Sequence, residues 1–155
     1  MYTRCRDAWG CPLAYRVFDA VGAAVERSPA LRSRVRLVCA QDMGVAVNPQ
    51  GARTQIEGAI TMGLGYALSE EIRFRDGEIA DRGFDTYRIP RFSWLPKIDA
   101  ILVDSPDVPP SAGGEPAIIC MGAVIGNAIH DATGGRVFQL PLTPARVREA
   151  RMTHL

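Results

Sequence analysis

The chain has 155 residues, of which 47% are hydrophobic, with 15 Gly, 11 Pro and a formal net charge of +1. That is enough for one domain with a real core, and the composition suits a loop-rich globular α+β protein rather than a disordered one. Near-neutral charge without a basic stripe argues against nucleic acid, and no apolar run reaches transmembrane length. Met1 to Gly10 has arginines but no signal-peptide core after them, so the expected compartment is the cytoplasm, with no membrane partner.

Pro12 to Arg27 carries Leu13, Val17, Val21 and Val25 at helical spacing and is stopped by Ser28-Pro29. Val35 to Ala40 reads as a strand, followed by turns at Asp42-Met43-Gly44 and Asn48-Pro49. Gly51 to Ser69 predicts a helix that buries Ile56, Ile60, Leu64 and Leu68 as one stripe. Gly58, Gly63 and Gly65 interrupt it, each at a cost of up to about 1 kcal/mol relative to alanine. Such a concentration suggests close approach, either of a ligand or of another packed element. Glu71 to Phe74 and Glu78 to Ala80 form a hairpin around Asp76-Gly77.

Arg82 to Pro96 is irregular, with Phe84, Tyr87, Phe92 and Trp94, and Ile98 to Val103 reads as a further strand. Ser105 to Ser111 is a Pro-rich loop. The apolar run from Pro116 to Ala132 predicts a helix that ends at a Thr133-Gly134-Gly135 cap. Thr143 and Pro144 then cap and open a short polar helix.

These elements predict an α+β fold: a small mixed sheet with two main helices packed on one face. The helix from Pro116 is apolar nearly all round and is expected to be the more central. One domain is expected over residues 34–155. Residues 1–33 form an unplaced N-terminal segment, helical in part. Cys5, Cys11, Cys39 and Cys120 lack zinc-ligand spacing, and the last two read as small buried hydrophobes. His130 and His154 are poor ligand candidates, so no metal-ligating residue is expected from this chain.

The most informative residue is Glu115, in Ser111-Ala112-Gly113-Gly114-Glu115-Pro116. Flanking glycines let a large ligand approach the backbone, and a carboxylate in an apolar setting can serve as a tuned base. Taken alone, a glutamate in a helix's first turn is more commonly a complement to the macrodipole.

Several stretches together resemble one family. They are Cys39-Ala40-Gln41-Asp42-Met43-Gly44, Val47-Asn48-Pro49, Gln55-Ile56-Glu57-Gly58 and Met62-Gly63-Leu64-Gly65, then Phe84-Asp85-Thr86-Tyr87-Arg88-Ile89-Pro90, Gly114-Glu115-Pro116, Asn127-Ala128-Ile129 and Leu140-Pro141-Leu142-Thr143-Pro144. In order and spacing they are similar to the final molybdopterin-binding domain of the xanthine oxidase and aldehyde oxidase family. The nearest flavour is the large subunits similar to isoquinoline 1-oxidoreductase and nicotinate dehydrogenase. The resemblance runs from about Arg34 to Ala150.

The resemblance implies hydroxylation of an aldehyde or nitrogen heterocycle with water-derived oxygen, at molybdenum held by molybdopterin, here expected in its cytosine dinucleotide form. It implies Glu115 as the catalytic base, and Gln55 and Gly114 as cofactor-binding residues. Many members carry a hydrophobic residue where this chain has Gly113. A family large subunit contains several such domains, and this chain carries only the last. The remaining molybdopterin-binding domains are therefore expected on another chain, with electrons leaving through an iron–sulfur subunit, and the chain is not expected to be active alone. The alternative expectation is a truncated, cofactor-free domain with at most a binding or assembly role.

Overall fold

A computed structural model describes residues 36–152. The Pro12 to Arg27 helix, Cys5, Cys11, His154 and the unplaced segment 1–33 lie outside the described residues. The fold is α+β, as the residue patterns predict.

Strand β1 (Arg36–Gln41) pairs in parallel with β4 (Lys97–Leu102), bringing Leu37 opposite Ile98 and Cys39 opposite Ala100. Strands β2 (Phe74–Arg75) and β3 (Glu78–Ile79) form a separate antiparallel pair across the Asp76-Gly77 turn. The strands thus fall into two pairs rather than one sheet. Phe74, Arg75, Glu78 and Ile79 are all exposed, so burial does not draw the hairpin onto the parallel pair.

Helix α1 (Pro49–Leu68) starts two residues ahead of the Gly51 expectation, because Asn48 caps it. The Asn48 side chain accepts from the Gly51 N–H at 2.9 Å, and Pro49, which has no N–H to leave unsatisfied, opens the first turn. Ile56, Ile60 and Leu64 are buried as predicted. Leu68 is only partly buried, and Ala67 takes the last core place. Fully burying such an isoleucine stabilises by about 1.5–3 kcal/mol.

The apolar run after Glu115 forms two helices rather than one: α2 (Pro116–Ile119) and α3 (Met121–Thr133), divided at Cys120. Tyr66 of α1 stands at the break. Its hydroxyl donates to the Ile118 carbonyl at 2.7 Å and accepts from the Gly122 N–H at 3.0 Å. A side chain inserted into the helical hydrogen-bond ladder is a known source of kinks.

Helix α1, not the helix from Pro116, is the more central. Ile119 and Val124 remain exposed, whereas α1 buries Ile56, Ala59, Ile60, Gly63, Leu64, Gly65 and Ala67. Gly63 permits this packing, since a Cβ there would lie 2.6 Å from that of Met121. Helix α3 ends at left-handed Gly134, whose N–H donates to the His130 carbonyl. Thr143 accepts from the Arg146 N–H at 3.3 Å at the start of α4 (Pro144–Met152), and Leu142 anchors that segment through its N–H to the Ala67 carbonyl. Cys39 and Cys120 are free and half-buried; burial, then the neighbouring Cys120, pushes the Cys39 thiol up. The face of the parallel pair away from the core leaves Val38 and Ile101 exposed. Parallel strands are normally covered on both faces.

The hairpin is closed by a buried carboxylate. Asp81 accepts from the Arg73 backbone N–H at 2.7 Å and from its guanidinium at 2.5 Å. The guanidinium first, and the backbone N–H second, hold the Asp81 carboxyl below the usual carboxylate range. A lowered folded-state pKa gives stability that is present above the ordinary value of about 4 and lost as pH falls through the folded value. Asp81→Asn should therefore lower stability at neutral pH and narrow the difference between neutral and acidic pH. Urea unfolding at both pH values measures this, and an unchanged pH dependence would contradict it.

Candidate functional site

The segment carrying Glu115 is held residue by residue. Gly44, at φ +67°, turns the chain after β1 so that the Val45 N–H reaches the Val108 carbonyl at 3.0 Å. Asp42 accepts from the Gly44 N–H and from the Ser105 hydroxyl, joining the two loops. The Ser111 N–H then donates to the Met43 carbonyl at 2.9 Å. Gly113 faces the Met43 thioether, and a Cβ there would lie 3.3 Å from the methyl carbon of Met43. The absence of a side chain at Gly113 thus fits close contact with Met43.

Gln41 completes the support. It is 6% exposed at the end of β1, and its Nε2 donates to the Ala112 carbonyl at 3.3 Å. Its Oε1 is buried with no partner. A buried amide oxygen left unpaired is costly, so it marks a place where structure is held against a penalty. Gln41 lay between the expected strand and the Asp42-Met43-Gly44 turn, within a stretch that carries the family resemblance, and had no separate role. The only local signal was a polar residue closing an apolar strand.

Gln55 and Glu115 are brought to one edge of the domain. A Cβ built on Gly114 would lie 4.0 Å from the Gln55 Oε1, so the amide stands directly over the glycine that precedes Glu115. Gln55 sits in the second turn of α1 rather than the first, because the helix begins at Pro49. Gln55, Gly114 and Glu115 are all exposed. Glu115 occupies the N-cap position of α2, but its side chain makes no capping hydrogen bond. Its carbonyl accepts from the N–H groups of Ile118 and Ile119. With only four residues, α2 is too short to present the anion-binding N-terminus that an unbroken helix would offer. Macrodipole complementarity is correspondingly a weak reason for a glutamate here.

Chemically, the edge offers an amide able both to donate and accept, a glycine backbone open to close approach, and a carboxylate free to take a proton. Among the described residues, no group of three or more His, Cys, Asp or Glu is placed to hold a metal ion. No helix among the described residues is long and apolar enough to cross a membrane.

Comparison with known proteins gives a consistent picture. Residues 10–96 match the family model of a molybdopterin cofactor-binding domain. The match begins inside the segment left unplaced by its motifs; Gln55 lies within it, and Gly114 and Glu115 lie beyond it. The chain is 38% identical over 127 residues to a nicotinate dehydrogenase subunit of Pseudomonas putida, an alignment covering 82% of this chain and 11% of that protein. Its fold matches quinoline 2-oxidoreductase from Pseudomonas putida 86 with a TM-score of 0.66 at 27% identity, covering 74% of this chain and 16% of that one. It matches the aldehyde oxidoreductase of Desulfovibrio desulfuricans with a TM-score of 0.64 at 34% identity, covering 73% and 13%. The chain therefore spans only a small part of the length of each of these relatives.

Proposed function

The chain belongs to the molybdopterin cofactor-binding domain family of the molybdenum hydroxylases, and from that premise we propose that it supplies one wall of the molybdopterin site in a hydroxylase large subunit. The observation that carries the proposal is the Gln55 amide over Gly114, immediately before Glu115. The residues present fit the group. Gln55 is exposed and free to hydrogen-bond a pterin edge, and Gly114 leaves room for a bulky ligand against the backbone. When bound, the cofactor supplies the metal centre at which water-derived oxygen and substrate electrons are handled.

The work of this chain is then local. Gln55 orients the cofactor through its amide. Glu115 accepts a proton, and its exposed, uncapped carboxylate has no competing structural bond to break first. Gln41 and Met43 hold the loop so that the carboxylate does not wander. Neighbouring domains exclude water from the edge once they close over it.

The resemblance to the xanthine oxidase and aldehyde oxidase family supplies the rest of the proposal. The upstream molybdopterin-binding domains lie outside this chain, and an iron–sulfur subunit takes the electrons. The substrate is an aldehyde or an N-heterocycle, and the cofactor is the cytosine dinucleotide form. The open face at Val38 and Ile101 supports a covering domain. Molybdenum and pterin analysis of the chain, alone and assembled with the upstream domains, tests the proposal.

A further inference from the structure

An unbroken α-helix through Cys120 would have the Gly122 N–H donating to the Ile118 carbonyl, four residues back. Here the Tyr66 hydroxyl stands between them, satisfying both groups at 2.7 and 3.0 Å. The ring lies against Gly122, where a Cβ would meet the Tyr66 Cε2 at 3.3 Å, a contact that a ring shift of a few tenths of an ångström accommodates. Beyond the break, α3 is fixed in the core by Met121, Ile125 and Ile129. Before it, α2 has only Ala117 buried and carries Glu115 at its head. Were the ladder closed, α2 would continue along the axis of α3 and take Glu115 with it.

We propose that Tyr66 is a positioning residue: its hydroxyl, wedged into the α2–α3 ladder, sets the direction of α2 and so holds Glu115 beside Gln55. This rests on the proposed role of Glu115. Tyr66 and Gln55 stand on the same helix, so α1 places the amide directly and the carboxylate through the wedge. Filling space would not require the oxygen, because phenylalanine has the same ring. What the hydroxyl adds is a donor to the Ile118 carbonyl and an acceptor for the Gly122 N–H, the two groups that a closed ladder would pair with each other.

The test uses Y66F, which removes one oxygen and keeps the ring, and Y66F combined with G122P. Proline at 122 has no N–H and its ring clashes with the Ile118 carbonyl, so it keeps the ladder open without a hydroxyl. In the chain itself, a nuclear Overhauser contact between the Gln55 side-chain amide and the Gly114 Hα reads the geometry without any cofactor. That contact should be present in the parent, lost in Y66F and regained in the double variant. In the assembled large subunit, Y66F should lower kcat about 10- to 100-fold with pterin content unchanged, the scale expected for a misplaced catalytic group, and the double variant should recover most of it. A folded Y66F that keeps both the contact and the turnover would overturn the proposal, as would a double variant that restores neither. If Y66F does not fold, the double variant decides alone: the contact present supports the wedge, and its absence overturns it. If the contact changes as expected while turnover does not, Tyr66 sets the geometry but Glu115 is not the base.

Discussion

Replacing Glu115 with glutamine should leave the assembled large subunit folded and loaded with cofactor, yet lower its turnover by about 10²–10⁴-fold, the usual contribution of a positioned general base. The fold should survive because the Glu115 side chain caps no helix and is exposed. What holds this part of the chain is its backbone, through the Ser111 N–H on the Met43 carbonyl and the Ile118 N–H on the Glu115 carbonyl. The amide matches the carboxylate in shape, so Gly114 and Gln55 should keep their places. Only the capacity to take a proton is removed. An interaction realised in the transition state lowers kcat and kcat/KM together, so both should fall while KM stays nearly constant. Steady-state kinetics with pterin content measured on the same preparation checks this. Near-normal turnover would remove Glu115 from the catalytic role.

The second large effect concerns stability. Gly44→Ala should lower the melting temperature by about 10 °C or more, equivalent to roughly 2–5 kcal/mol. Two costs combine there. At φ +67° a side chain meets its own carbonyl, a strain that glycine avoids. The added methyl would also overlap the carbonyl oxygens of Pro109 and Val108, which are backbone atoms and have little freedom to move aside. Because Val45 and Val108 are hydrogen-bonded across this contact, the displacement would spread into the loop leading to Glu115. Scanning calorimetry of the variant measures the loss. A melting temperature within a degree or two of the parent would show that the Gly44 turn is not built as described.

Local chemistry was legible in the sequence wherever a residue acts on its own neighbours. Asp76 and Gly77 turn the hairpin with positive φ at both, Gly134 ends α3, and Thr143 starts α4, whereas Asn48-Pro49, expected as a turn, caps and opens α1. The Ile56, Ile60, Leu64 stripe followed from helical spacing alone. The break at Cys120 did not, because the hydroxyl that occupies it reaches across from another helix. Spacing within the run from Pro116 to Ala132 contains no trace of Tyr66. The same holds for Gln41, whose burial depends on a loop far along the chain. The greater centrality of α1 followed from where its glycines meet neighbours, and a tally of apolar residues pointed to the other helix instead. At the candidate site, Glu115 drew attention through its flanking glycines, but Gln55 did not stand out by residue type or periodicity. The family resemblance joined the two, and the fold places the Gln55 amide over Gly114.

Pterin and molybdenum content, measured side by side on the chain alone and on the chain assembled with the upstream domains of a large subunit, bears most directly on the central claim. The edge formed by Gln55, Gly114 and Glu115 is open on its outer side, so the chain alone should hold neither in stoichiometric amount. The assembly should hold close to one of each per large subunit. An assembly that folds but stays free of pterin would contradict the account, as would a lone chain that retains a full complement of it.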